Sequence, residues 1–435
     1  MYFITRLKWV FFCCLERVVE ILSGSSKNHR EKENIETKRS AQVEFIWIFA
    51  STIGELNTIG PFLRRFLSEL QNPPIVLISD HEHYREPYIT KYPSAYFEVL
   101  NEPSYDIHRL LKLYPPKLLI IAEIPCMLSD APCRFSFSII YELKKKRIPI
   151  FLVNGWLYHY KPACCMDWFE KLLFNKDYIN LIDLYMVQNE SIKQELIAQG
   201  AEEDRVIVTG NIKFDAVGDS HWSADNAKSA KLVKAIIDSK RPCIIGGCVT
   251  NLNDQMGILD AFIKALGRFP ESLLVLAPRH PENKERMEKL EIFLKERNLR
   301  YIFKSKISDD NIDGIKVLVL DTVGELKDFY AIATIIYIGP NHNVLEPLSF
   351  WKRVFVMPGW EPKYPSYPVY KQMLEEGALC EVKDPEELAE EWIRYLSDPA
   401  GCLNENEKIK SVIEKMQGAT ERNIRFIQNR LMRQA

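Results

Sequence analysis

The chain reads as a doubly wound α/β protein built from two parallel-sheet domains. Its 435 residues exceed one ordinary core, and short apolar runs alternate with helical patterns throughout. The runs carry almost no polar alternation, as strands covered on both faces should. A 47% hydrophobic content excludes a mainly disordered chain, and a formal net charge of −2 excludes a polybasic nucleic-acid binder. The cysteines lack C-x-x-C pairs and zinc spacing, which reads as reduced thiols of a cytosolic compartment.

Residues 1–22 are apolar but interrupted by Arg6, Lys8, Glu16, Arg17 and Glu20. The uncharged piece from Trp9 to Leu15 is too short to span a bilayer, and no cleavage site follows it. Leu7, Val10, Phe11, Cys14, Val18 and Ile21 recur at helical spacing. The segment therefore reads either as a helix lying in a membrane interface or as a cap on the first domain's core. Residues 23–41 are charged and read as a polar linker.

The first, N-terminal domain is expected over 42–211. Strands are expected at 44–51, 74–79, 95–100, 117–123, 148–154, 184–189 and 205–211, with a helix at 59–70. A hinge is expected at 212–240, where the chain is charged and weakly apolar. The second domain, 241–400, has expected strands at 241–248, 272–278, 299–304, 316–321, 334–339 and 353–358. Its helices fall at 254–269, 282–298 and 384–398. A helical segment, 401–435, could pack on either domain. In such sheets ligands sit at the carboxyl ends of strands, so the polar residues there are the site candidates.

There is no P-loop, no G-x-G-x-x-G, no G-x-S-x-G and no metal-ligand cluster; no metal and no cofactor is expected. His81 and His83 form an H-x-H in a turn without a distant partner. In FASTIGEL (49–56) a strand ends, Thr52 follows, Gly54 permits close approach and Glu55 opens a helix. Spacing alone suits Glu55 as a capping acid; facing a cleft, the same carboxylate could be a general base. Asn211 and Lys213 lie in VTGNIKFD (208–215), which by itself reads as a turn. Thr250, in GGCVTN (246–251), belongs to a loop that is either a plain βα turn or a phosphate cradle. Arg279 and His280, in APRHPEN, place cationic groups at a strand's end. Gly324 and Glu325 sit at a helix start in DTVGELKDFY, and Asn341, His342, Asn343 and Glu346 follow a strand in GPNHNVLEPLSFWK. Together these loops suggest a nucleotide-sugar pocket.

STIGE (51–55), AEIP (122–125), LVN (152–154), VTGNIKFD, APRHPE (277–282), DTVGELKDFY (321–330), NHNVLEP (341–347) and GATER (418–422) occur in an order that resembles the Kdo transferases, the 3-deoxy-D-manno-octulosonic acid transferases of lipopolysaccharide assembly. The resemblance implies a GT-B glycosyltransferase: two Rossmann-like domains facing across a cleft, with an N-terminal membrane-associated helix. It implies an inverting transfer of Kdo from CMP-Kdo to a lipid A precursor, without a required metal, at the cytoplasmic face of the inner membrane. Glu55 would be the base. Thr250, Arg279, His280, Gly324, Glu325, Asn341, Asn343 and Glu346 would hold the donor, and helix N-termini near Gly324 and Asn343 would help stabilise its phosphate. Thr52, Gly54, Glu123, Asn154, Asn211 and Lys213 would serve the substrate side. The N-terminal half departs from the family pattern at Phe49, Thr52, residues 79–86, the stretch EIPC (123–126) and Trp156. A GT-B enzyme with another nucleotide sugar or acceptor, and a catalytically silent scaffold, are the competing expectations.

Overall fold

The computed structural model describes residues 2–22, 43–100, 103–128, 135–159, 165–217, 222–307 and 312–432. The expected linker at 23–41 lies outside them. The chain divides into two compact units, Met1–Asp215 with Gln417–Ala435, and Ala216–Met416.

The first unit holds a seven-stranded sheet in the order β3-β2-β1-β4-β5-β6-β7. Its strands are β1 (Phe45–Phe49), β2 (Ile75–Ser79), β3 (Tyr96–Val99), β4 (Pro116–Ala122), β5 (Ile150–Gly155), β6 (Leu184–Val187) and β7 (Val206–Val208). All neighbours pair in parallel. The continuous run FIWIF is explained by burial on both faces. Phe45, Trp47 and Phe49 point into a layer shared with helices Phe137–Lys145 and Cys165–Leu181. Ile46 and Ile48 point into the opposite layer, with helices Gly60–Glu69 and Ala419–Met432. Trp47 is fully buried and still satisfies its indole N–H, which donates to the Tyr114 carbonyl at 2.9 Å.

The second unit repeats the plan with β8 (Cys243–Val249), β9 (Leu273–Pro278), β10 (Tyr301–Phe303), β11 (Val317–Val319), β12 (Ile335–Ile338), β13 (Val354–Val356) and β14 (Leu379–Glu381). The parallel order is β10-β11-β9-β8-β12-β13-β14. Strand order reverses between β1 and β4 in the first sheet and between β8 and β12 in the second. At such reversals the loops leave in opposite directions and open a crevice at the strands' carboxyl ends.

Three differences from the sequence reading have physical causes. The division between the units falls after Asp215, inside the expected hinge at 212–240, and that segment also contains the helix Ala230–Asp238, whose Leu232, Val233 and Ile236 are buried. The expected C-terminal segment is split: Pro399–Met416 stays with the second unit and Ala419–Met432 joins the first. Asp215 fixes that return by accepting from the Gly418 N–H at 2.7 Å and the Thr420 N–H at 2.5 Å. Arg422 adds a bond to the Thr209 carbonyl at 2.7 Å, so stretches 208–215 and 418–422 form one joint. β14 is missing from the sequence reading because it is three residues long and only its first residue is buried.

Helix Tyr2–Leu22 packs through Thr5, Trp9 and Phe12. Trp9 contacts Phe137, Tyr141 and Phe174, and Lys8 pairs with Asp177 at 2.8 Å. The stripe that carries the periodicity, Leu7, Val10, Phe11 and Val18, is the exposed side and not the core side. Among the described residues, no helix is long and apolar enough to cross a membrane.

Candidate functional site

In the first unit the crevice between β1 and β4 gathers the acidic candidates. Thr52 caps the short helix Ile53–Thr58, accepting from the Glu55 N–H at 3.3 Å. The Glu55 carboxylate folds back over this cap. It accepts from the Ser51 N–H at 2.8 Å and from the Thr52 hydroxyl at 3.2 Å. Glu55 is only 6% exposed. Burial first, and the neighbouring Glu123 second, push its carboxyl up to about 8, against the opposing pull of the Ser51 and Thr52 bonds. It is thus both the capping acid and a carboxyl whose ionisation falls near neutral pH. Gly54 is not demanded by the chain's own packing, since a Cβ there would meet only Thr52 Oγ1 at 3.5 Å.

Glu123 follows β4 with φ at +56°, and Asn154 lies in β5 with φ at +60°. Both side chains are buried. Glu123 Oε1 accepts from Asn154 Nδ2 at 3.0 Å and pairs with Lys213 Nζ at 3.1 Å. Asn154 Oδ1 accepts from the Ile212 N–H at 2.9 Å, and Asn211 Nδ2 donates to Gln188 Oε1 at 3.0 Å. The expected substrate-side residues Glu123, Asn154, Asn211 and Lys213 therefore form one network, reached from three loops. Gln188, Ser51 and Asp80 belong to the same rim and were not singled out by sequence. Ser51 Oγ donates to Asp80 Oδ1 at 2.6 Å. Isolated polar residues in β-strand termini give no pattern that would have flagged them.

In the second unit the crevice between β8 and β12 gathers Thr250, Arg279 and His342. Arg279 Nη1 lies 3.0 Å from His342 Nδ1, and His342 Nε2 lies 2.8 Å from Thr250 Oγ1. Burial, with the charges of Arg279 and His280 beside it, holds the His342 imidazole down to about 4, so it is neutral at pH 7. Arg279 Nη1 also lies 3.3 Å from His342 Nε2, so the guanidinium rests against the imidazole ring and not on one nitrogen. His342 thereby packs against Arg279 and hydrogen-bonds the Thr250 hydroxyl, a positioning role that sequence reading placed in the motif without assigning.

Other donor-side candidates fall elsewhere. His280 turns outward to Glu282, Nδ1 to Oε1 2.9 Å. Glu325 is committed to Lys304 at 3.0 Å and to the Thr322 hydroxyl at 2.8 Å, which makes it a brace for its own loop. Gly324, with φ at +86°, makes the turn beside Lys228. Asn341 ties the 359–361 loop down, accepting from the Glu361 N–H at 2.8 Å and donating to the Gly359 carbonyl at 3.3 Å. Asn343 Oδ1 accepts from the Leu345 N–H at 3.0 Å. The helices after Gly324 and Asn343 are the short Leu326–Ile332 and Leu345–Leu348. Glu346 is half-buried; burial raises its carboxyl against the pull of Lys327.

Residues 25–216 match the family model of 3-deoxy-D-manno-octulosonic-acid transferase (kdotransferase). A bifunctional glycosyltransferase/methyltransferase of Fusobacterium nucleatum is 25% identical over 388 residues, 86% of this chain and 55% of that protein. The chain thus spans about half the length of that relative. A 3-deoxy-D-manno-octulosonic acid transferase of Aquifex aeolicus is 27% identical over 377 residues, covering 84% of this chain and 89% of that one. UDP-GlcNAc 2-epimerase of Neisseria meningitidis, bound to UDP-GlcNAc, superposes with a TM-score of 0.58 at 14% identity, over 90% of this chain and 100% of that chain. These findings bear out the motif resemblance and the GT-B class of the fold.

Proposed function

We propose that this chain, a glycosyltransferase by its kinship with the Kdo transferases, moves 3-deoxy-D-manno-octulosonic acid from CMP-Kdo onto a lipid A precursor. The observation that carries the reading is the state of Glu55. A carboxyl pushed up to about 8 at the reversal of a doubly wound sheet is poised to exchange a proton near the working pH. A purely structural cap would gain nothing from sitting beside a second buried carboxylate.

The reaction follows from these groups. As the acceptor hydroxyl oxygen bonds to the anomeric carbon, its proton passes to the Glu55 carboxylate. The bond from the anomeric carbon to the phosphate of CMP breaks on the opposite face, and its electron pair leaves with the phosphate. The configuration inverts. The leaving group is already a stable anion, so one carboxylate suffices where a hydrolase needs two. Arg279, packed against His342 beside the Thr250 hydroxyl, supplies positive charge to the departing phosphate. Glu123 and Lys213 fix the acceptor side of the site.

The enzyme works at the cytoplasmic membrane face in this reading. Ile4, Leu7, Val10, Phe11 and Val18 of the first helix are exposed, and so are Trp168 and Leu172 of the helix packed on it. Such a surface suits the interfacial zone where a lipid acceptor lies. The test is incubation with CMP-Kdo and a lipid A precursor, followed by mass spectrometry. The expected product carries one or more added Kdo residues; a product formed only from another nucleotide sugar would overturn the donor assignment.

A further inference from the structure

The loop after β13 carries two buried donors that the protein itself leaves unused. Trp360 is 9% exposed, and its indole Nε1 has no hydrogen-bond partner. Its ring is stacked on Tyr370 at 4.3 Å and 4°. Ser366 precedes the helix Tyr367–Glu375, but its helical φ and ψ of −81° and −19° keep its hydroxyl from capping that helix, and Oγ too is buried without a partner. Tyr370 stands one turn on from Ser366, its N–H donating to the Ser366 carbonyl at 2.9 Å, so the helix that Ser366 opens carries the ring on which Trp360 stacks. Leaving such groups unpaired costs stability, and an orphaned buried donor calls for a partner that arrives from outside.

The loop is also stitched to the nucleotide-side cluster. Asn341 grips both sides of Trp360, at the Gly359 carbonyl and the Glu361 N–H. The next residue, His342, packs against Arg279. The hydroxyl of Tyr370 is already given to Glu381, so the stack contributes a flat face and the two orphans contribute the hydrogens.

We infer that this loop, through the unpartnered Trp360 Nε1 and Ser366 Oγ, reads the sugar of the nucleotide-sugar donor, each group donating to a hydroxyl or carboxylate oxygen of that sugar. The inference rests on the donor reading above and extends it from the nucleotide to the transferred group. The variants are Trp360→Phe, which keeps the stack on Tyr370, and Ser366→Ala, which removes one atom. Calorimetric titration with CMP and, separately, with CMP-Kdo reads the effect. Each variant should bind CMP as wild type does while weakening CMP-Kdo about five- to thirtyfold, as loss of one ligand hydrogen bond predicts. Unchanged CMP-Kdo affinity in both variants, or equal loss for CMP and CMP-Kdo, would overturn the subsite. If Trp360→Phe does not fold, Ser366→Ala decides alone. Wild-type protein that binds neither probe would refute the donor reading, and the subsite with it; wild-type binding with indifferent variants refutes the subsite only.

Discussion

Replacing Glu55 by Gln should lower activity and raise stability at alkaline pH, a combination that only a strained catalytic carboxyl produces. The folded protein holds this carboxyl at about 8 against an ordinary 4.5. Each tenfold change in acidity is worth about 1.4 kcal/mol, so full ionisation inside the fold costs about 5 kcal/mol. Because the folded value lies above the unfolded one, the stability contribution is complete below 4.5 and is lost as pH rises through 8. Between about pH 5 and about pH 9 the loss comes to about 4 kcal/mol. Glutamine cannot ionise, so the variant should escape that loss. Glu170, pushed up to about 7 mainly by burial, gives a slope of the same sign but is present in both proteins and cancels in the comparison. Denaturant unfolding of wild type and Glu55→Gln at the two pH values measures the difference. Turnover of CMP-Kdo should fall about a hundredfold or more, as for other general bases. Parallel stability curves for the two proteins would refute the account of the buried carboxyl. Undiminished turnover would refute the role of base.

Arg279→Ala should weaken CMP binding about ten- to a hundredfold, the worth of a charge-assisted hydrogen bond, with calorimetry as the readout. Equal affinity would show that the guanidinium serves only His342. Asp215→Asn removes one of the two acceptors that receive the Gly418 and Thr420 N–H groups, and should cost about 1–3 kcal/mol in denaturant unfolding. Changing Leu7 and Phe11 together to Ser should leave the thermal midpoint nearly unmoved, since both side chains are exposed, but reduce sedimentation with anionic lipid vesicles. Full retention on vesicles would argue against the membrane-facing side.

The fold was legible because parallel strands buried on both faces announce themselves as unbroken apolar runs, such as IVLIS at 75–79. The window 117–123 overshot β4 at Glu123, which leaves the ladder with positive φ. The substrate-side network was legible residue by residue, but its unity was not. That Glu123 meets Asn154 and Lys213 depends on which strands are neighbours, and strand order is not written in any local pattern. The polar cluster of the second unit was half legible. Arg279 and Thr250 carry recognisable chemistry at strand ends, whereas the neutrality of His342 arises from burial that one sequence cannot state. Glu325 shows the same limit: a carboxylate at a helix start gives no local sign of Lys304, which pairs with it from a separate loop. The apolar stripe of the first helix was legible as a stripe, while the inward face is supplied by Trp9 and Phe12, which no period singled out.

The return of the last helix has a consequence for how the polypeptide is made. Ala419, Ile424 and Ile427 complete the same apolar layer as Ile46, Ile48 and Leu77. A ribosome therefore releases the opening strands long before it delivers the lid that keeps them dry. During that interval the nascent sheet presents greasy surface to chaperones and to its own siblings. Any stop codon falling just short of residue 417 would make that vulnerable interval permanent.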